Sequence, residues 1–117
     1  VRKRMNEILE KLEKYGADVT GAMGRFLDDE DLYQTCFVVF LKDESFQKLG
    51  EAIAKKEYEK SFEYAHTLKG VAGNMGLTPM YQVLCDMVED LRKEEYSNLS
   101  EYYKEVMDQL GILEQWV

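Results

Sequence analysis

The chain has 117 residues, 45% hydrophobic and 32% charged, with a formal net charge of -8. That length and balance fit one domain around one modest core and exclude an intrinsically disordered chain. The acidic balance weighs against nucleic acid and membrane surfaces as partners, since both call for a basic face and no Lys/Arg cluster stands out beyond the run at positions 2–4.

The first segment, "VRKRMNEILEKLEKYG", is basic and then amphipathic, unlike a secretion signal, and Met5 is an alternative start. Met5, Ile8, Leu9 and Leu12 make a helical stripe over 1–15 that ends at Gly16. Residues 17–29 read as a connector with a helical turn around Ala22–Leu27. "DDEDLYQTCFVVFLK" begins with acids, as a helix dipole favours, and is expected to turn Leu32, Cys36, Phe37 and Phe40 inward. A helix from about Ser45 to Lys55 presents Phe46, Leu49, Ala52 and Ile53. The next runs from about Tyr58 to Met75 and stops at Gly76. Thr78 is placed to cap its successor with Pro79 at the first helical position, and Met80, Leu84, Met87, Val88 and Leu91 form the apolar stripe. Leu99, Tyr103, Val106, Leu110 and Leu113 line the last helix. Short links make neighbouring helices antiparallel. The fold expected is therefore all-α: an antiparallel up-and-down four-helix bundle over about 45–115, with additional N-terminal helices packed over one end or flank, in one domain spanning 1–117. With two cysteines, Cys36 and Cys85, and no export signal, the expected place is the reducing cytoplasm with both thiols free.

"AHTLKGVAGNMG", at 65–76, holds the one histidine of the chain beside three glycines. Glycine costs roughly 1 kcal/mol relative to alanine inside a helix, so its presence needs a reason. At 100° per residue Phe62, Ala65, Leu68, Ala72 and Met75 face the core, while His66 lies about 130° from the stripe centre. His66, Lys69, Gly70 and Gly73 share an outer strip at i, i+3, i+4, i+7 spacing. A lone histidine is ordinarily a bland residue. Glycines on an outer face, however, suit a visitor that must approach the backbone beside the imidazole. Imidazole is a nucleophile that is largely uncharged at neutral pH, and a lysine one turn away can stabilise a phosphoryl group. One histidine without a ligand-spaced Cys or carboxylate set argues against a metal, and no Gly-rich strand-to-helix loop supplies a nucleotide site, so no cofactor is expected. A Cys–His hydrolase is a weak reading, because Cys36 and Cys85 fall in or beside helical stripes.

"HTLKGVAGNMG" resembles the signature of the histidine-containing phosphotransfer (HPt) domain, with His66, Leu68, Lys69, Gly70, Ala72 and Gly76 matching in order and spacing. "DDEDLYQTCFVVFLKD" resembles the family's approach to the bundle, so the likeness covers about residues 16–115. The resemblance implies a phosphorelay carrier rather than an enzyme. His66 would accept a phosphoryl group from the aspartyl phosphate of one response-regulator receiver domain and pass it to another. Lys69 would act as electrostatic helper and Gly70 as clearance, with Gly73 extending the bare partner-binding surface; Phe62, one turn before His66 and off the core centre, is either a contact for the receiver or core edge. The partners implied are receiver domains, a histidine kinase, or both, and a monomer is the default expectation. In one respect the sequence departs from the pattern. Several relay members carry a glutamine on the following helix that hydrogen-bonds the imidazole. Folding the hairpin about 76–77 sets His66 level with Asp86, Met87, Val88 and Glu89, with Gln82 more than a turn away, so either Asp86 or Glu89 orients the ring or both are surface carboxylates with no such role.

Two rival readings stay open: a phosphoacceptor domain from a larger hybrid or chemotaxis-type histidine kinase, and a docking bundle that binds without transfer. The length, beginning and ending with helices, mildly favours a stand-alone carrier. The dimerising hairpin of sensor kinases fits less well, since its histidine is followed by an acid and soon by a proline, whereas here Thr67 follows and the next proline is Pro79.

Overall fold

Helical periodicity runs through nearly the whole chain, and the computed structural model is helical where that periodicity falls. It describes the backbone of residues 2–117 and side chains from Asn6 onward, so Met5 and the basic side chains at 2–4 lie outside the described ones. The helices are α1 (Arg2–Tyr15), α2 (Val19–Arg25), α3 (Glu30–Leu41), α4 (Ser45–Ala54), α5 (Tyr58–Asn74), α6 (Thr78–Arg92) and α7 (Leu99–Glu114). The fold is all-α. Helix α5 packs along both α4 and α6, and α7 closes the ring against α6 and α4, which is the up-and-down four-helix bundle. Its interior is built from Phe46 and Leu49 of α4, Leu68 of α5, Met80, Leu84 and Met87 of α6, and Val106, Leu110 and Leu113 of α7, all nearly inaccessible. Among the described residues no helix is long and apolar enough to cross a membrane.

Four helices end in the same way. After α1, α4, α5 and α6 the chain passes through one residue with positive φ: Gly16 (106°), Lys56 (58°), Gly76 (72°) and Glu94 (58°). The following N–H then bonds back across five residues, as in Glu57 to the Ala52 carbonyl at 2.9 Å and Leu77 to the Ala72 carbonyl at 2.9 Å. These Schellman closures satisfy carbonyls that a helix end leaves unpaired and reverse the chain in two or three residues. Gly76 is doubly constrained. Its φ is left-handed, and a Cβ there would meet Ala22 Cβ at 2.9 Å and the Asp18 carbonyl.

That second constraint arises because α1–α3 cover the end of the bundle where α5 turns into α6. The Asp18 N–H donates to the Gly76 carbonyl at 2.8 Å. The buried Tyr33 hydroxyl donates to the Met75 carbonyl at 2.7 Å, and Tyr33 stacks on Phe37. The Tyr15 hydroxyl donates to Gln109 Oε1 of α7 and accepts the Met80 N–H at 3.1 Å.

Three expectations are corrected. Leu32 is not inward but exposed, and Tyr33 takes the core position instead, because Tyr33, Phe37, Phe40 and Leu41 form the buried stripe of α3. Thr78 is not the cap of α6; it is the first helical residue, Pro79 follows it, and the buried Leu77 holds the cap position without a side-chain hydrogen bond. The abrupt turn at Gly76 leaves no residue spare for a polar cap, and the Tyr15 hydroxyl serves the Met80 N–H from another helix. The connector at 17–29 contains a full helix, α2, capped by the Asp18 carboxylate accepting the Gly21 N–H at 3.0 Å.

Tyr15 gives a stability test. Burial pushes its hydroxyl up to about 12, against an ordinary value of 10.0. The folded state prefers the neutral phenol, so this contribution is complete below pH 10 and declines as pH rises toward 12. Tyr15→Phe strands the Met80 N–H and Gln109, and is expected to cost about 1–2 kcal/mol in urea unfolding. It should also flatten the loss of stability across the same alkaline window.

Candidate functional site

Helix α5 runs unbroken for 17 residues and buries Ser61, Ala65, Leu68 and Ala72 on its inner side. Ser61 avoids an unpaired hydroxyl by donating to the Glu57 carbonyl at 2.9 Å. Glu57, just before the helix, pairs with Lys60 at 3.0 Å, and that hydrogen bond holds its carboxyl below the usual carboxylate range. His66 falls at the midpoint of α5, exposed on the side opposite the core, with Gly70 also exposed and Lys69 and Gly73 half-buried.

The outer face of α5 carries two hollows with His66 between them. Toward the C-terminal end, Lys69, Gly70 and Gly73 line a cleft of about 500 Å³ together with Asp18, Arg25 and Tyr81. Toward the N-terminal end, Phe62 lines a groove of about 370 Å³ with Tyr58, Leu91, Arg92 and Tyr96, rimmed by acids. Tyr58 and Tyr96 stack at 3.6 Å between ring centroids, bridging the start of α5 and the α6–α7 loop. The Phe62 and His66 rings stack at 5.8 Å with 25° between their planes.

The two outer glycines have different reasons. A Cβ on Gly70 meets nothing within 4 Å, so that position is open to whatever approaches. A Cβ on Gly73 would sit 2.9 Å from Cε1 of Tyr81, so a ring of α6 already occupies the space that Gly73 leaves. Asp86 and Glu89, the carboxylates level with His66, are exposed, and Glu89 Oε2 is paired with Arg92 Nη1 at 3.3 Å. Among the described residues no hydrogen bond reaches the imidazole; its neighbour is the Phe62 ring. Three participants escape a reading of the sequence. Arg25 covers the end of α5, donating from Nε to the Asn74 carbonyl at 2.9 Å and from Nη2 to the Gly73 carbonyl at 3.0 Å. Tyr81 forms the far wall of the cleft. Arg92 places its guanidinium over the Phe62 ring at 5.5 Å. The hairpin register signals the last of these, because a fold about 76–77 that sets 66 level with 86–89 sets 62 level with 91–92. Arg25 has no local signal, since its contact spans 48 residues.

Residues 42–116, well over half the chain, match the family model described as the Hpt domain. The chain belongs to the Hpt domain family. Neither a curated protein nor a solved structure matches it. Hpt domains are carriers in histidine phosphotransfer and interact with receiver domains in phosphorelays. The matched span contains α4–α7 and every outer residue of α5 named above, whereas α1, α2 and α3 precede it. In this Hpt domain, therefore, Arg25 and Asp18 bring residues from outside the matched region to the edge of the cleft beside Lys69.

The glycine geometry predicts opposite stability outcomes on one helix. Gly70→Ala should stabilise the protein by about 0.4–1 kcal/mol, since the added methyl finds open space and the unfolded chain loses freedom. Gly73→Ala should gain nothing or lose stability, because Tyr81 must shift. Thermal unfolding of the two variants side by side checks both.

Proposed function

We propose that His66 is the phosphoacceptor of this chain, taking a phosphoryl group from the aspartyl phosphate of a receiver domain and passing it to another. The observation that carries the reading is an exposed imidazole at the midpoint of α5, one turn from the open face of Gly70 and beside Lys69. In the forward step an imidazole nitrogen attacks phosphorus. A P–N bond forms as the P–O bond to the aspartyl carboxylate breaks, and the electron pair leaves on that carboxylate. The ammonium of Lys69 balances the charge of the phosphoryl oxygens during transfer and while the group is held. Gly70 leaves room for the phosphoryl group and the receiver surface around it, and the exposed parts of Phe62 and of the Gly73 backbone belong to the surface offered to that partner. The same chemistry at His66 applies whether the chain acts alone or as part of a larger kinase.

The test is incubation with an isolated receiver domain charged by acetyl phosphate in the presence of magnesium, followed by intact mass. One added phosphoryl group, lost on brief acid treatment and missing in His66→Gln, is the expected result. No gain with several receivers despite measurable binding would replace this reading with docking alone. Lys69→Ala is expected to slow transfer roughly ten- to a hundredfold. A bulky replacement of Gly70 is expected to slow it roughly tenfold or more with the fold intact. Rapid-quench measurement of the transfer rate checks both.

A further inference from the structure

The imidazole of an exposed helical histidine has several rotamers within reach, and a ring that attacks phosphorus must be held in one of them. The carboxylates level with His66 do not hold it: Asp86 and Glu89 are exposed, and Glu89 is engaged by Arg92 at 3.3 Å. What does touch the ring is Phe62, one turn earlier on α5, stacked at 5.8 Å and 25°. Aromatic pairs attract at that separation. Phe62 is itself half-buried, packed against the core on one side and covered by the Arg92 guanidinium at 5.5 Å. A cation over an aromatic face is a favourable contact. Four side chains from two helices thus form a continuous series, Glu89–Arg92–Phe62–His66.

We propose that Phe62 is the positioning residue of the phosphoacceptor, its face setting the plane of the His66 ring, with Arg92 steadying Phe62 from α6. The inference rests on His66 being the acceptor. Stacking differs from a hydrogen bond in one chemical respect. A hydrogen-bonding side chain occupies one ring nitrogen, whereas a stacked face leaves both nitrogens at the free edge. The ring is therefore oriented without losing a lone pair or an N–H.

The test combines two readouts on Phe62→Leu, Phe62→Tyr and Arg92→Gln. The first is the rate of transfer from an acetyl-phosphate-charged receiver domain as receiver concentration is raised. The second is the NMR position of the His66 ring protons in the unphosphorylated protein, which an aromatic face displaces. Phe62→Leu is expected to lower the maximal rate roughly three- to tenfold and to move the ring protons toward free-histidine positions. Phe62→Tyr should restore both, and Arg92→Gln, an exposed change that spares the fold, should lower the rate roughly twofold. A change confined to the half-saturating receiver concentration would make Phe62 a docking contact only and overturn the proposal. Ring protons that do not move in Phe62→Leu would overturn it as well. If the wild type acquires no phosphate while its ring protons show the stack, the acceptor assignment has failed, and the positioning role fails with it.

Discussion

The turn at Gly76 is the constraint on which the rest of the arrangement depends. There α5 must stop, reverse and become α6 within three residues, while a third helix, α2, lies against the bend. Glycine meets both demands, since a side chain would oppose the left-handed φ and would also collide with the backbone at Asp18. The hydrogen bonds from Asp18, Arg25, Tyr33 and Tyr15 all converge on residues 73–80. Each satisfies a carbonyl or N–H that a helix end leaves open. The N-terminal helices therefore finish the α5–α6 hairpin as well as covering it. With the hairpin fixed, the outer face of α5 and the register of α6 beside it are fixed too, and His66 meets its neighbours in one arrangement.

The chemistry of that face is one of exclusion. A bundle this small needs most of its apolar residues inside, and α5 spends its outer strip on His66, Lys69 and Gly70. Open space at Gly70 costs helix stability and makes the backbone approachable. Tyr81 fills the space beside Gly73, so the bare surface is narrower than the spacing of glycines implies. The two hollows flanking His66 differ in character. One holds Lys69 and Arg25, the other aromatic rings with an acidic rim. A partner seated over the histidine would meet positive charge on one side and aromatic surface on the other.

Much of this was legible in the sequence, for physical reasons that can be named. The stripe Met80, Leu84, Met87, Val88 and Leu91 is buried throughout, because a helix walled on two sides by neighbours obeys its periodicity strictly. The outward placement of His66 and Gly70 followed from the same periodicity. Where reading failed, tertiary contact had overridden local pattern. Leu32 and Tyr33 compete for one position on α3, and the hydroxyl of Tyr33 decided it by finding the Met75 carbonyl. Thr78 looks like a cap from its own neighbourhood, yet the group that serves the first turn of α6 is Tyr15, 65 positions away. Gly73 reads as clearance for an outside partner until the ring of Tyr81 is in place.

The four left-handed residues that close α1, α4, α5 and α6 fall two at each end of the bundle, but differ in kind. At the end closed by α1–α3 they are Gly16 and Gly76, for which that conformation carries no strain, although Leu27 and Asp28 between α2 and α3 also adopt it. At the opposite end it falls to Lys56 and Glu94, side-chain-bearing residues that adopt it at some cost. The bonds from the N-terminal helices onto residues 73–80 make the end closed by α1–α3 the better anchored of the two, and α5 joins them with His66 halfway between. Thermal opening should start among the loops at 55–57 and 93–98, next to the Tyr58–Tyr96 stack, and reach the histidine from its N-terminal side.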